Sequence, residues 1–322
     1  MKPLLTVSES VAKRLVTLKD AIALMETAFV SLDRGESLLF PMVSGHGSDP
    51  GTRFGAKAGF DSTRCRPGLK VGSYWPGNAA RGFGNHGSTV LLLDDATGLP
   101  QALVAATHLT ALRTAASDAV AVKHLARADA SVLVLVGPGH QAYWDALAIA
   151  EVRALSEVLV CGRDPDAAEA LAARLRQAGL PAAASAIGPA LARADLVSTV
   201  TASREALFAA GDVRPGTHIS AMGADGPGKR ELAPALTATA ALWADHPPQS
   251  LVLGEFQHVS GAAAEAIQPI GGLVAGRLSG RGSRDEITIY DSSGIALQDL
   301  AICGFALEQA QAQGLARPID LS

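Results

Sequence analysis

The sequence has few aromatic and charged side chains and only three cysteines. Aromatic residues make up 4% of the chain and charged residues 18%, with a net charge of −4 and no basic block. Surfaces that stack nucleotide bases or neutralise phosphates along a nucleic acid are therefore not expected. The cysteines form an odd set without metal-binding spacing, so we expect neither a metal site nor a disulfide framework.

Long hydrophobic runs without interruption are also missing. The longer uncharged stretches, such as residues 96–112, contain glycine or proline, and the first ten residues have no apolar core typical of a signal peptide. We therefore expect no membrane span and a cytoplasmic location. With 322 residues and 48% hydrophobic side chains, the chain predicts a globular protein of two domains.

The most informative stretch of the sequence is SVLVLVGPGHQA at residues 131–142. An apolar run predicts a buried strand, a glycine turn follows, and an Ala-rich helix begins near Tyr143. This is the context of the dinucleotide-binding pattern G-x-G-x-x-A. The residues predicted to contact the cofactor here are Gly137, Gly139, His140, Gln141 and Ala142. An ordinary strand–turn–helix connection is the alternative.

The end of the next strand bears on which dinucleotide is bound. Residues 157–161 form a second apolar run, which is followed by Gly162, Arg163 and Asp164. A carboxylate at this point pairs with the ribose of NAD, whereas an arginine accommodates the 2′-phosphate of NADP. The sequence therefore favours NADP(H), with Arg163 as its ligand. NAD(H) stays possible, with Arg163 in solvent and Asp164 on the ribose.

The remaining pattern predicts an α/β fold in two parts. Before residue 107, strands separated by turns indicate an antiparallel sheet, and after residue 129 strands alternate with helices, as in a parallel sheet. The predicted elements in the second part include helices over 143–153, 189–194 and 229–236 and a strand over 250–253. A long helix is expected over 294–313.

Four ordered segments together resemble the ornithine cyclodeaminase/μ-crystallin family, as does ITIYDSSGIALQD at residues 287–299. The four are GLKVGSYWPGN at 68–78, LTALRTAA at 109–116, VGPGHQA at 136–142 and GADGPGKREL at 223–232. The resemblance implies a Rossmann domain, residues 119–297, inserted in a mixed α/β dimerisation and substrate domain, residues 1–118 plus 298–322. It also implies a homodimer and a reaction at the C–N bond of a small amino or imino acid.

The resemblance assigns chemistry to three residues. Lys70 matches a lysine that faces the substrate, and Arg113 is expected to bind the substrate carboxylate through its planar fork. Asp225 matches an aspartate that handles the amine proton. The alternatives are a solvent-facing strand lysine, a structural salt bridge for Arg113, and a helix N-cap for Asp225.

Thr89 and Ser292 match family residues near the cofactor. Thr201 and Ala202 follow the predicted strand over 196–200 and are expected near a ribose of the cofactor. Ordinary turn residues are the alternative for all four. The histidines at positions 86, 140 and 218 have no companion at metal-binding spacing, so no metal ligand is assigned.

Two departures from the cyclodeaminases affect the expected reaction. Residues 38–43 contain no arginine that could grip the carboxylate, although Arg53 is a possible substitute, and Lys57 lies where an acidic residue is expected. The sequence therefore predicts NAD(P)H-dependent reduction of a cyclic ketimine such as Δ1-pyrroline-2-carboxylate. Ornithine cyclodeamination and a μ-crystallin-like NADP(H)-binding protein without turnover are the alternatives.

Overall fold

The computed structural model describes residues 3–320 and divides the chain into two compact units. Unit 1 comprises Met1–Arg113 and Ile295–Ser322, and unit 2 comprises Thr114–Gly294. The sequence predicts these boundaries at residues 118/119 and 297/298. Both domains were expected to contain helices and strands, and the mixed α/β class with a Rossmann-like sheet is confirmed.

The strands of the described residues are, in chain order, β1 Leu4–Val7, β2 Leu38–Leu39, β3 Val43–Gly45, β4 Arg53–Asp61, β5 Arg66–Tyr74, β6 His86–Leu93, β7 Pro100–Ala105, β8 Val132–Val136, β9 Glu157–Cys161, β10 Ala182–Ala184, β11 Leu196–Thr199, β12 His218–Ala221, β13 Ala241–Ala244, β14 Gln268–Pro269, β15 Thr288–Asp291 and β16 Arg317–Ile319.

The α-helices are α1 Glu9–Leu15, α2 Leu18–Asp33, α3 Thr107–Leu125, α4 His140–Ala150, α5 Pro165–Gln177, α6 Ile187–Leu191, α7 Pro234–Thr237, α8 Pro247–Leu253, α9 Ala262–Glu265, α10 Ile270–Val274 and α11 Ala296–Ala312.

Unit 1 is built on a mainly antiparallel sheet. Its strand order is β16-β1-β7-β6-β5-β4-β2, with β3 also paired to β4. The exception to antiparallel pairing is β1, which runs parallel to β7. Helix α11 packs across β4, β5 and β6, and it is buried on nearly all sides. A polar side chain on the sheet face under α11 is therefore shielded from water.

Unit 2 is built on a parallel sheet of order β10-β9-β8-β11-β12-β15-β13-β14. The first five strands follow the 3-2-1-4-5 part of the Rossmann order, with β8 as the first strand, and the sixth place is taken by β15, which comes after β13 and β14 in the chain. Apolar clusters cover both faces of the sheet, as a parallel sheet requires. Ligands in such sheets bind at the carboxyl ends of the strands, beside the point where the order reverses, which here lies between β8 and β11.

Two predicted elements of unit 2 were wrong. The strand expected over 250–253 is part of helix α8, because Pro247 and Pro248 fix the backbone of its first turn and a short apolar run does not distinguish strand from helix. Helix 229–236 is reduced to the single turn α7. The backbone N–H groups of Glu231 and Leu232 instead donate to the buried Glu255 carboxylate, both at 2.8 Å.

Candidate active site

Three charged side chains meet inside unit 1. Lys70 comes from β5, Arg113 from α3, and Asp299 from the first turn of α11; they are 7%, 7% and 1% exposed. The Lys70 Nζ lies 2.7 Å from Asp299 Oδ2, and Arg113 Nε lies 3.0 Å from Oδ1. Arg113 Nη1 also donates to Gln298 Oε1 at 2.9 Å. One carboxylate of the fold therefore holds both cations that were expected to face the substrate.

The structural salt bridge considered for Arg113 is present, and it uses part of the guanidinium. Nε and Nη1 are bonded to Asp299 and Gln298, whereas no described residue accepts a hydrogen bond from Nη2. Gln298 and Asp299 are site residues that are not predicted from the sequence. The available signal was a carboxylate in the first turn of a helix, directly before the apolar run 300–307, and at the end of a segment already matched to the family.

Burial and charge set the protonation of this cluster. Burial lowers the pKa of Lys70 to about 8, with Arg113 and Lys57 acting in the same direction and Asp299 opposing them. Burial alone would raise the pKa of Asp299, but Arg113 and Lys70 outweigh it and hold the pKa below its usual value. At neutral pH the cluster therefore consists of an ionised carboxylate between charged Lys70 and Arg113.

The register of the sheet separates Thr89 from Lys70. Lys70 is directly opposite Val90, while Thr89 is opposite Val71. Neighbouring residues of a strand point to opposite faces, so Thr89 lies on the face away from Lys70, together with Val71, which is 43% exposed. On this strand, Ser88 rather than Thr89 shares the face of Lys70. Alternation along β6 was predictable, but the starting face was not.

The glycine turn of unit 2 has the form that a dinucleotide-binding site requires. Gly137 adopts a φ of +106°, and Gly139 is the N-cap of α4, which begins at His140 rather than near Tyr143. Ala142 is fully buried, which allows α4 to pack closely on β8. The N-cap has no side-chain hydrogen bond, so the first backbone N–H groups of α4 point into the turn, as in anion-binding helix termini.

Gly137 and Gly139 differ in the space around an added side chain. Alanine variants of the two can therefore separate an effect on stability from an effect on cofactor binding. A Cβ at Gly137 would lie 2.7 Å from the Val200 carbonyl oxygen, whereas a Cβ at Gly139 has nothing within 4 Å. We expect Gly137→Ala to lower the free energy of unfolding by about 1–3 kcal/mol, from the left-handed backbone and the contact. Gly139→Ala should leave it within about 0.5 kcal/mol and weaken dinucleotide binding about tenfold or more.

Urea unfolding and fluorescence titration with NADPH measure the two effects separately. Equal loss of stability in both variants would contradict the assignment of Gly139 to the cofactor. Unchanged NADPH affinity in Gly139→Ala would contradict it as well.

The end of β9 has no room for an acidic side chain. A Cβ on Gly162 would lie 2.7 Å from Cδ of Pro138, the middle residue of the glycine turn. The next two residues, Arg163 and Asp164, are both exposed. The Asp164 carboxylate accepts from the N–H groups of Asp166 and Ala167 and thereby caps α5, at 3.0 and 3.3 Å. Arg163 is thus the side chain at this strand end without a capping role.

A buried carboxylate ties the ends of β11 and β12 together. Glu231 Oε1 accepts from the Thr201 N–H and hydroxyl, both at 2.7 Å, and Oε2 accepts from Thr199 at 2.8 Å and from the Gly223 N–H at 2.9 Å. Burial raises the pKa of Glu231, while the hydrogen bonds from both threonines lower it. The Thr201 hydroxyl is thereby engaged within the fold. Glu231 is not predicted from the sequence as a residue of this site, because it falls within the helix expected over 229–236.

Asp225 lies on the loop that follows β12, at the carboxyl end of the parallel sheet. Its side chain is 60% exposed, and Lys229 Nζ lies 2.5 Å from its Oδ1. Lys229 also donates to the Gly223 carbonyl oxygen at 3.2 Å, so it fixes the loop at two points. Helix α7 begins nine residues further along, which makes the N-cap alternative for Asp225 wrong.

The remaining predicted cofactor residues have varied surroundings within unit 2. Gln141 donates its side-chain amide to Asp145 at 2.7 Å, while His140 and Ala202 are exposed. Ser292 is 4% exposed and contacts the Ser117 hydroxyl at 3.3 Å. The structure thus brings the glycine turn, Thr201 and Asp225 to strand ends of one sheet, and Ser292 to a buried position after β15.

Residues 3–320 contain neither a candidate metal site nor a candidate membrane-spanning helix. No three His, Cys, Asp or Glu side chains among them are grouped to hold a metal ion. None of the helices they form combines the length and apolar character needed to cross a bilayer.

Comparison with known proteins identifies relatives along the whole chain. The iminosuccinate reductase of Paracoccus denitrificans (strain Pd 1222) is 37% identical over 99% of this chain and 100% of its own length. Its crystal structure in complex with NAD+ superposes with a TM-score of 0.94 over the same 99% and 100%.

Two further solved structures are similar. An archaeal alanine dehydrogenase dimer with bound NAD is 31% identical, with a TM-score of 0.93 and 99% of both chains covered. The Thermococcus litoralis Δ1-pyrroline-2-carboxylate reductase in complex with NADH and L-proline is 27% identical, with a TM-score of 0.92 over 98% of this chain and 100% of that one. The family model of the ornithine cyclodeaminase/mu-crystallin family matches residues 1–314, and this chain belongs to that family.

Proposed function

We propose that this chain is a NAD(P)H-dependent reductase of a small 2-imino acid. The observation that carries the proposal is the buried pair Lys70 and Arg113, held by Asp299 with Nη2 of Arg113 left for a ligand. A fixed guanidinium beside an ammonium is suited to a carboxylate. The relatives named as iminosuccinate reductase, alanine dehydrogenase and pyrroline-2-carboxylate reductase support this class of substrate.

The glycine turn of unit 2 fits a dinucleotide. The open position beside Gly139 and the uncapped N-terminus of α4 are the features that would receive its pyrophosphate. When bound, the nicotinamide supplies the hydride that reduces the imine carbon. The solved structures named above contain NAD+, NAD or NADH, which supports a nicotinamide cofactor.

We assign one role to each charged residue. Arg113 and Lys70 bind and orient the substrate carboxylate, which reduces the entropy lost on reaching the reactive geometry. Asp225 stabilises the positive charge on the imine nitrogen and acts on its proton, since an exposed carboxylate at a strand end is accessible to a ligand. Lys229 positions the Asp225 carboxylate through their ion pair.

Ornithine cyclodeamination is less well supported by the residues present. Lys57 is paired directly with Lys70 across β4 and β5, where an acidic residue was expected. The ammonium on the ornithine side chain would meet a like charge there, which is unfavourable at short range.

We propose a preference for NADP(H) and assign it to Arg163. Gly162 cannot carry a carboxylate without displacing Pro138, and Asp164 is occupied as a helix cap. Arg163→Ala should therefore lower the ratio of kcat/KM for NADPH to that for NADH about tenfold, the scale of one charge-assisted contact. Initial rates with both cofactors measure the ratio, and Arg174→Ala, on α5, is a control. A ratio unchanged by Arg163→Ala would contradict the assignment.

We also propose that the chain forms a homodimer. Val43, Phe54 and Val71 lie on the open face of the unit 1 sheet and are 67%, 44% and 43% exposed. Exposed apolar groups on one sheet face are typical of an interface. The dimeric state of the archaeal alanine dehydrogenase supports this proposal.

The proposed function is tested by oxidation of NADPH and NADH in the presence of imino acids. Suitable substrates are Δ1-pyrroline-2-carboxylate, Δ1-piperideine-2-carboxylate, and the imines that ammonium forms with pyruvate and oxaloacetate. We expect turnover of at least one. If none is reduced with either cofactor, the proposal fails; ammonia release from ornithine would then indicate cyclodeamination, and tight cofactor binding without turnover a binding protein.

A further inference from the structure

The loop that carries Asp225 ends in a tight turn, residues 226–229. The Lys229 N–H donates to the Gly226 carbonyl oxygen at 3.2 Å, and Gly228, which follows a proline, adopts a φ of +74°. Proline followed by a glycine with positive φ is the geometry of a type II turn. The ion pair between Lys229 and Asp225 spans this turn, so the position of the carboxylate depends on the conformation of the turn.

The side chain of Gln257 is bonded to both ends of this turn. Its Oε1 accepts from the Gly228 N–H at 2.7 Å, and its Nε2 lies 3.2 Å from the Gly226 carbonyl oxygen and 3.3 Å from that of Lys229. The same Nε2 donates at 2.8 Å to the carbonyl oxygen of Gly254, in its own segment. One amide therefore joins two stretches that are 29 residues apart in the sequence.

The segment around Gln257 is itself anchored within unit 2. The carboxylate of Glu255, which is 2% exposed, accepts from the Glu231 N–H at 2.8 Å. On the other side, the Phe256 N–H donates at 3.2 Å to the fully buried carboxylate of Asp291, at the end of β15. Because these bonds fix the backbone on which it stands, Gln257 can restrict the turn instead of moving with it.

A second side chain of the segment reaches the same turn. The Nε2 of His258 lies 2.8 Å from the Lys229 carbonyl oxygen, and since a carbonyl oxygen accepts, Nε2 carries the proton. His258 is exposed, whereas Gln257 is half-buried. Hydrogen bonds in water contribute less than those shielded from it, so Gln257 makes the larger contribution to the turn.

We infer that Gln257 is a positioning residue of the reaction, which holds the turn at 226–229 and thereby keeps the Asp225 carboxylate at the imine nitrogen. This inference rests on the proposed function, in which Asp225 acts on the proton of that nitrogen. A displacement of about 1 Å from the reactive geometry lowers a rate about 100-fold, so a loosened turn is expected to slow the reaction while the carboxylate is still present.

The test is a double-mutant cycle. Gln257→Met retains the length of the side chain and removes the hydrogen bonds of the amide. We expect it to lower kcat for imine reduction about 10–100-fold in the wild type and less than about threefold in an Asp225→Asn background, because it acts through the carboxylate. The dissociation constant of NADPH should stay within about threefold. Gln177→Met, which removes an exposed glutamine of α5, is the control and should keep wild-type kcat.

Equal losses from Gln257→Met with and without the Asp225 carboxylate overturn the inference, and so does an unaltered kcat in the wild-type background. If Gln257→Met does not fold, as judged by NADPH binding, His258→Ala takes its place. This exposed change removes one bond to the turn and should lower kcat about threefold to tenfold, and only when Asp225 is present. An unaltered kcat, or equal losses in both backgrounds, overturns the inference there as well.

Hydrogen exchange separates this inference from the reaction. The N–H groups of Lys229 and Arg230 donate to the carbonyl oxygens of Gly226 and Ser203, and Gln257→Met leaves both acceptors in place. Faster exchange at these two amides would therefore report a loosened turn, and we expect it to be at least about tenfold. If no imine is reduced by the wild type, the proposed function fails, and the exchange rates still decide whether Gln257 fixes the turn. Unaltered exchange in Gln257→Met overturns the inference.

Discussion

Arg113→Ala is expected to lower kcat/KM for carboxylated imines roughly 30-fold to several thousand-fold. This loss corresponds to an increase of about 2–5 kcal/mol in the activation free energy. Two effects act in the same direction. The substrate carboxylate loses its guanidinium partner, and the buried Asp299 loses one of the two cations that lie within 3.0 Å of its oxygens. Steady-state rates with the best imine substrate measure the total loss.

Arg113→Lys distinguishes binding geometry from charge. A lysine at position 113 retains the positive charge beside Asp299 but lacks the fork that bonds Asp299, Gln298 and a ligand together. We expect it to recover part of the stability to urea and little of kcat/KM. The dissociation constant of NADPH should stay within about threefold in both variants, because the glycine turn belongs to unit 2. Near-normal kcat/KM in Arg113→Ala would contradict the binding of the substrate carboxylate by Arg113. The structural salt bridge with Asp299 would then be its role.

The strands and the glycine turn could be predicted because their signals are local. The run at 132–136 is apolar throughout and is followed by glycine, so it indicates β8 and the start of α4 without tertiary information. The second apolar run, at 157–161, likewise indicates β9 and ends at a glycine. These elements needed only periodicity and turn chemistry.

The partners of the site residues could not be predicted because they depend on contacts between distant segments. Asp299 meets Lys70 and Arg113 only after α11 has packed on β4 and β5. Glu231 leaves the predicted helix because its carboxylate and backbone N–H are bonded elsewhere in unit 2. Such buried carboxylates look like ordinary helix residues in the sequence. Tertiary hydrogen bonds override local helix propensity here.

The pairing of Lys57 with Lys70 depends partly on local sequence and partly on a contact between two strands. The sequence shows that a lysine replaces the expected acid, but the strand register alone makes the two side chains neighbours. A shift of one residue would have placed Lys57 on the other face. The register of β4 and β5 therefore decides that the charge at position 57 lies beside Lys70.

Asp225→Asn is expected to reduce kcat by about 10²–10⁴-fold while leaving the fold intact. Asparagine has nearly the same shape as aspartate, but it carries no negative charge to stabilise the imine nitrogen and cannot act on its proton. The side chain is 60% exposed, so the change should alter the free energy of unfolding by less than about 0.5 kcal/mol. Rapid-mixing measurements of NADPH oxidation in a single turnover follow the reduction step itself.

Two further variants decide whether the Asp225 carboxylate acts directly. Asp285→Asn removes an exposed aspartate of the same unit and should keep wild-type kcat. Lys229→Met breaks the ion pair, which spans 2.5 Å, but retains the carboxylate, so its loss in kcat should be at least tenfold smaller than that of Asp225→Asn. If Lys229→Met and Asp225→Asn lose the same activity, the ion pair that holds the loop accounts for the effect. If Asp225→Asn retains kcat within threefold, another group must handle the proton on the imine nitrogen.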